Sequence, residues 1–288
     1  MQAIIFALIS YLGWGIGDVF GTIATRKIGG YQVAFWFFLL LIPIYSIFVL
    51  FFPEGIKNIT LSILALNIIL GIMAAISMIT FYESLRLGSA SLVGTISGAF
   101  PALVVPLSII FLGEIVSLAQ LMAIAVIMSG VIISTVNLDE LKSKKIKLGQ
   151  GVVLAIITMV LWGIYWTFIK IPVQQIGWAW PNLIAVLALP AIPILMKVRG
   201  IGLNLKSFQE ARLPLSLNAS IIGLATLSFN FAISVGGDVA IITPIAGSYP
   251  TLYALLAYFV FKDPLKINEI AGIVLTLTGI VLLSVLSV

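Results

Sequence analysis

The chain contains no cysteine and no histidine, and only 9% of its residues are charged. Without cysteine there are no disulfides to staple a small secreted domain and no thiol nucleophile. Without histidine the commonest zinc ligand is missing, as is the side chain best suited to relaying protons near neutral pH. Soluble domains have roughly a quarter of their residues charged, so a chain this poor in charge does not have water as its only solvent. The one glycine-rich run, Gly13-Trp14-Gly15-Ile16-Gly17, lies inside an apolar stretch with no strand before it, so it does not read as a nucleotide-phosphate loop. Paired carboxylates at catalytic spacing are also lacking. That argues against an intramembrane enzyme and against a bound cofactor or metal.

What the chain has in abundance is hydrocarbon. Hydrophobic residues make up 61% of the 288, and the mean hydropathy is +1.24. A spanning helix needs about 20 mostly apolar residues. The sequence supplies ten such stretches: Gln2–Ala24, Gln32–Phe52, Leu61–Leu85, Ser91–Leu112, Ser117–Val136, Gln150–Ile171, Ala179–Lys197, Leu213–Ser234, Val239–Phe261 and Asn268–Leu286. The breaks between them carry turn and charge signals, as in Arg26-Lys27-Ile28-Gly29-Gly30, Pro53-Glu54-Gly55, Gly236-Gly237-Asp238 and Lys262-Asp263-Pro264. Two connections, Asn137–Leu148 and Val198–Arg212, read as longer polar loops. The first stretch begins without a basic n-region and reads as a retained span rather than a cleaved signal. The fold class is therefore an all-α polytopic membrane protein, expected in the plasma or inner membrane.

The ten spans fall into two copies of one pattern. Gly98-Ala99-Phe100-Pro101 through Leu112-Gly113-Glu114 lines up with Gly247-Ser248-Tyr249-Pro250 through Phe261-Lys262-Asp263, and Gly130 then falls on Gly279. Trp14-Gly15 matches Trp162-Gly163 with a shift of one residue. The expected units are residues 1–141 and 142–288, divided in the lysine-rich stretch near Lys142–Lys147. Five spans per unit is an odd number, so the second copy enters the membrane inverted.

Charge supports the inversion. Arg26, Lys27, Arg86, Lys142, Lys144, Lys145, Lys147, Lys197, Arg199, Lys206, Arg212, Lys262 and Lys266 all follow odd-numbered spans, while the opposite side has only Lys57 and, at the edge of the sixth span, Lys170. Basic residues collect in cytoplasmic loops, which puts both termini on the non-cytoplasmic side. The same rule accounts for the net charge of +5 without a nucleic-acid partner; the bilayer itself is the partner. Inverted repeats recur in secondary transporters, whose sites lie near the midplane between the halves.

The run Phe81-Tyr82-Glu83-Ser84-Leu85-Arg86-Leu87-Gly88-Ser89-Ala90-Ser91, continuing through Gly98, Pro101 and Pro106 to Leu112-Gly113-Glu114, resembles the drug/metabolite transporter superfamily, EamA type. Its second copy ends in Phe261-Lys262-Asp263, where Asp replaces the usual Glu, and Trp14-Gly15 fits the same family. The resemblance covers the whole chain. It implies a metabolite transporter with a central cavity lined by the first four spans of each half and the fifth and tenth spans at the periphery. Many relatives read as having cytoplasmic termini; the charges here argue the reverse.

Asp18 is the most informative single position. A carboxylate at mid-membrane costs about 2.5–3.5 kcal/mol on insertion scales, so it should face a cavity or a partner. It reads either as a contact for a substrate amine or a proton, or as a structural anchor paired with Arg26. Trp14 shares its stripe, and Trp162, Trp166 and Lys170 form a similar stripe on the sixth span; aromatic faces there suit a sugar or a cation. Gly13, Gly17 and Gly21 repeat every four residues and read as a close-packing face.

Pro101 and Pro106 interrupt the fourth span, and Pro244 and Pro250 the ninth. Beside them, Thr95, Ser97 and Gly98, with Thr243, Gly247, Ser248, Tyr249 and Thr251, either line the cavity or satisfy carbonyls freed by the breaks. Thr80, Tyr82 and Asn230 are further substrate candidates. Glu83 and Arg86 read as a local ion pair, Glu114 and Asp263 as groups that cap the next helix or close the turn, and Asp238 as the N-cap of the ninth span. Trp36, Trp178 and Trp180 read as interfacial. The resemblance is to a family whose members export amino acids or move sugars, nucleotide sugars or drugs. It leads to the expectation of alternating-access export of amino acids or related compounds, with sugar or polyol uptake, which the Trp and Tyr content permits, as the second reading. Protons are the candidate coupling ion, and the assembly is a monomer or a homodimer.

Overall fold

The computed structural model describes residues 1–87, 90–135, 149–262 and 265–287. Among them every regular element is helical. Ten helices are long and apolar enough to cross a membrane: α1 (Gln2–Ile28), α2 (Gly30–Phe51), α3 (Leu61–Leu87), α4 (Val93–Leu112), α5 (Leu118–Thr135), α6 (Gln150–Ile176), α7 (Trp180–Val198), α8 (Ser207–Ser234), α9 (Val239–Phe261) and α10 (Ile267–Leu286). Helix is the form a chain takes in lipid, because each helix satisfies its own backbone donors and acceptors. Large apolar side chains such as Ile5, Leu50, Leu61 and Ile115 are exposed on the outer surface, which fits hydrocarbon and not water.

The spans match the hydropathy reading in number and order. Two ends differ. Ser207–Arg212, expected in a polar loop, is the first part of α8 and joins the span through a kink at Ala211 (φ −126°, ψ 17°) just before Pro214. The polarity of this segment hid it from hydropathy, yet Trp36 Nε1 donates to Ser207 Oγ at 2.9 Å and holds it against α2. α6 runs on to Ile176, past a break at Ile169, because Pro172 lies in the first turn of its second segment, where no N–H is needed.

The repeat is written into the backbone. Gly29 ends α1 at φ 79° and Gly177 ends α6 at φ 79°, a conformation open to glycine but not to side-chain-bearing residues. Gly113 after α4 (φ 68°) and Lys262 after α9 (φ 58°) are likewise both left-handed. α4 and α9 are each broken near their middle: the helix Ala90–Gly98, which begins three residues ahead of the α4 span, is followed by Pro101–Leu112, and Val239–Gly247 by Tyr249–Phe261.

Packing obeys the same symmetry. α1 lies along α8 and α6 along α3, so the first helix of each half packs on the third of the other, while α5 pairs with α10. The two halves are inverted five-helix repeats. The α1–α8 seam uses the glycine face: Gly13 lies against Ala225, Gly17 against Ile222 and Gly21 against Asn218. Ser10 Oγ donates to Ala225 O and Asn218 Nδ2 to Gly17 O, both at 2.9 Å. At the centre the breaks meet crosswise. A Cβ on Gly98 would lie 2.8 Å from Pro250 Cγ, and one on Gly247 would lie 2.6 Å from Pro101 Cγ. The dividing stretch Lys142–Lys147 and Asp263 lie outside the described residues.

Candidate functional site

Between the halves lies a cavity with about 810 Å³ of space not filled by protein atoms. α1 contributes Trp14 and Asp18, α6 contributes Trp162, Tyr165 and Trp166, and α9 contributes Tyr249. α2 adds Phe37, Phe38 and Tyr45, α3 adds Phe81, and α7 and α8 add Asn182 and Thr226. About half of the lining residues are aromatic. The ring centroids of Trp14 and Trp166 are 4.8 Å apart, those of Trp14 and Phe229 5.5 Å, and Tyr249 stands edge-on to Trp14 at 6.0 Å. Trp14 Nε1 donates to Thr226 Oγ1 at 3.4 Å, which fixes the indole of one half on a helix of the other.

Asp18 is half-buried and is the only carboxylate among the described residues lining this cavity. Tyr249 of α9 lines the cavity beside it. No ion pair joins Asp18 to a described residue. Arg26, two turns on, instead lies over the Phe261 ring with its guanidinium carbon 4.6 Å from the centroid.

A second cavity of about 930 Å³ lies on the other side of Asp18, toward the end of the bundle where α1 finishes. Asp18, Phe81 and Tyr249 line both spaces. Thr22, Arg26, Tyr253 and Glu269 carry this second cavity toward the basic end, and Thr22 Oγ1 and Tyr253 Oη are 3.0 Å apart. One carboxylate and one phenol thus stand at the wall between a central chamber and a more polar approach.

The opposite end is tied shut. Lys170 Nζ lies 2.5 Å from Glu114 Oε1 and 2.9 Å from Asp238 Oδ1. Glu114 also accepts the backbone N–H groups of Val239 (2.9 Å) and Ala240 (2.7 Å), so it caps the first turn of α9 across the molecule rather than the helix that follows it. Asp238 occupies the N-cap position of α9 but spends its side chain on Lys170. The cluster joins α4, α6 and α9. The Glu83–Arg86 pair, by contrast, is the local one expected, at 2.7 Å.

The cavity brings together Trp14, Asp18, Trp162, Trp166 and Tyr249 of the expected substrate residues. The others lie elsewhere. Thr80 Oγ1 is 2.7 Å from Thr158 Oγ1 in the α3–α6 seam. Tyr82 is buried with its hydroxyl on Asn218 Oδ1 at 3.4 Å. Thr95 is buried in α4, and Gly98 packs on Pro250. Ser248 Oγ donates to Ile245 O at 2.7 Å, the local bond that satisfies a carbonyl at the break. Asn230 Nδ2 reaches Trp178 O at 3.5 Å, while its Oδ1 and the Thr243 hydroxyl have no partner among the described residues.

Of the prolines, Pro101 and Pro250 begin the second segments of α4 and α9, whereas Pro106 and Pro244 sit inside continuous helix. Trp36 and Trp178 do more than mark an interface: Trp178 packs on Phe48, Phe52 and Phe231. The lining residues Phe37, Phe38, Tyr45, Asn182 and Thr226 were not foreseen. Spans that are apolar all round give no periodic signal for which face turns inward.

The model of the "EamA-like transporter family" matches residues 1–136 and, a second time, 149–285. An uncharacterized protein of Methanocaldococcus jannaschii is 30% identical over 138 residues, which are 47% of this chain and 97% of that protein. That relative is thus about as long as a single half. A solved crystal structure with 14% sequence identity superposes with a TM-score of 0.75, covering 99% of this chain and 98% of the other. At that identity the likeness speaks to the fold alone.

Proposed function

Because the chain belongs to the EamA-like transporter family, and is thereby a multi-pass membrane transporter of small molecules, we propose that it is a secondary carrier working by alternating access. Its cargo is an amine-bearing organic metabolite, an amino acid or a related compound, moved outward across the cell membrane. The observation that carries this reading is Asp18, a carboxylate without an ion-pair partner among the described residues, on the wall shared by the two cavities between the halves. A group there is reachable from the central chamber and from the basic end alike, which a carrier's contact residue has to be. The units 1–141 and 142–288 rock against each other about the crossed breaks at Gly98/Pro250 and Gly247/Pro101. The basic end is cytoplasmic and both termini face out, as the loop charges argue.

Sugar uptake fits less well. Aromatic faces would stack on a pyranose, but the wall offers one amide, one carboxylate and scattered hydroxyls against a ring of polar groups needing partners. The test is solute uptake by proteoliposomes containing the purified protein, with labelled amines, amino acids and sugars, each with and without an imposed pH gradient. Saturable movement of an amine-bearing solute is expected, and its response to the gradient decides whether protons couple. Asp18→Asn should abolish or uncouple that movement. Transport of sugars alone, or an unchanged rate in Asp18→Asn, would remove this reading.

A further inference from the structure

The reading of the central cavity as the transport site can be sharpened by charge. We propose that this cavity selects a net-cationic amine with an apolar, ring-bearing body, and rejects the zwitterionic amino acid built on the same skeleton. The inference rests on the site reading above, and narrows "amino acid or related compound" to the decarboxylated or otherwise carboxylate-free relatives.

Three observations carry it. First, the wall presents ring faces from both halves, Trp14, Phe81, Trp162, Trp166 and Tyr249 among them. The negative face of an aromatic ring attracts a cation and repels a carboxylate. Second, Asp18 lacks a cationic partner among the described residues while facing the chamber. An ammonium held there is both an ion-pair partner and a cation against rings, in a setting that screens charge weakly.

Third, nothing at the wall neutralises a substrate carboxylate. No lysine or arginine among the described residues lines the chamber. The basic groups toward its two ends are already engaged, Arg26 over the Phe261 ring and Lys170 between Glu114 and Asp238. What the wall offers a carboxylate is neutral donors alone, such as the indole N–H groups of Trp162 and Trp166 and the phenols of Tyr45 and Tyr165, none of which neutralises its charge. The single amide, Asn182, already donates its Nδ2 to Trp178 O at 3.0 Å. A zwitterion would bring its carboxylate into an apolar chamber beside a like charge. A binding site rejects a ligand most strongly when it leaves such a group unpaired.

The experiment uses one skeleton in four charge states: phenethyltrimethylammonium, phenylalanine, 3-phenylpropionate and 2-phenylethanol. Binding of each to the full-length protein in lipid nanodiscs is measured by equilibrium dialysis. The quaternary cation should bind at least about tenfold more tightly than phenylalanine, and 3-phenylpropionate should bind most weakly. Asp18→Asn should lose about tenfold or more for the cation while 2-phenylethanol changes by less than about twofold, which also shows that the variant is folded. Asp18→Glu should keep most of the cation binding should the asparagine variant prove unstable.

Phenylalanine binding as tightly as the cation would overturn the selectivity while leaving the carrier reading intact. Undiminished cation binding by a folded Asp18→Asn would overturn it too. Should none of the four bind, while proteoliposomes move a sugar, both the charge preference and the amine cargo fall. Should none bind and nothing be transported, the site itself has been misplaced.

Discussion

Thr243 is fully buried in the first segment of α9, and its hydroxyl has no partner among the described residues. An orphaned hydroxyl in a packed bundle costs about 1–3 kcal/mol, whereas an apolar group of the same shape costs nothing to bury. Thr243→Val should therefore leave the thermal midpoint in detergent unchanged or raise it, with a gain of about 0–1 kcal/mol. A lower midpoint would mean that the hydroxyl has a partner in the folded bundle. Loss of transport at an unchanged midpoint would instead place it on the path of the cargo. The residue scale is also where sequence reading was least even. Asp18 and Trp14 stood out because charge and indole are rare in a helix interior, and both line the chamber. Glu114, Lys170 and Asp238 did not stand out as a group, since 56 and 68 residues separate Lys170 from its two partners. No local pattern encodes a contact of that kind, and hydroxyls near a break read alike whether they face a cavity or a carbonyl.

At the scale of helices, hydropathy found every span because burial in lipid is set by length and composition alone. It missed the helical start of α8, where polar residues pack on α2 and the stabilisation comes from tertiary contact. The glycine face of α1 was legible from its four-residue period, and its partner was not. That partner is α8, and the approach is close enough that a Cβ on Gly13 would lie 2.5 Å from Ala225 Cβ. Overpacking a seam of this kind costs about 1–3 kcal/mol. Gly13→Ala should thus lower the thermal midpoint and the yield of folded protein, and Gly13→Ala combined with Ala225→Gly should recover most of the loss. The reciprocal pair separates steric contact from helix propensity, since alanine alone favours a helix over glycine. A double variant no more stable than Gly13→Ala would mean that the two helices do not meet at this register.

For the whole molecule, the two ends of the bundle are unlike although the two halves are alike. The end holding the chain termini is crossed by the Lys170, Glu114 and Asp238 cluster, with Glu114 also capping α9, while the basic end carries the second cavity up to Asp18 and Tyr249. An ion cluster joining α4, α6 and α9 at one end is the kind of contact whose loss biases a two-state carrier toward opening there. The chain has no cysteine, so a single introduced thiol reports access without background. With Thr226→Cys lining the chamber, Glu114→Gln should raise the rate of modification by an impermeant thiol reagent applied from the terminus-bearing side. If the charge contributes about 1.4 kcal/mol to closure, the increase is about tenfold. A thiol at Ser143, which lies outside the described residues, supplies the orientation: shielded in intact cells, it makes the closed end the outer one, and ready labelling reverses that. An unchanged rate at Thr226→Cys with an unchanged thermal midpoint would make the cluster a cap of α9 and nothing more. A rate raised from the terminus-bearing side, with access from the basic side reduced in the same variant, is what exchange between two inverted halves requires, because a carrier that opened at both ends at once would be a channel.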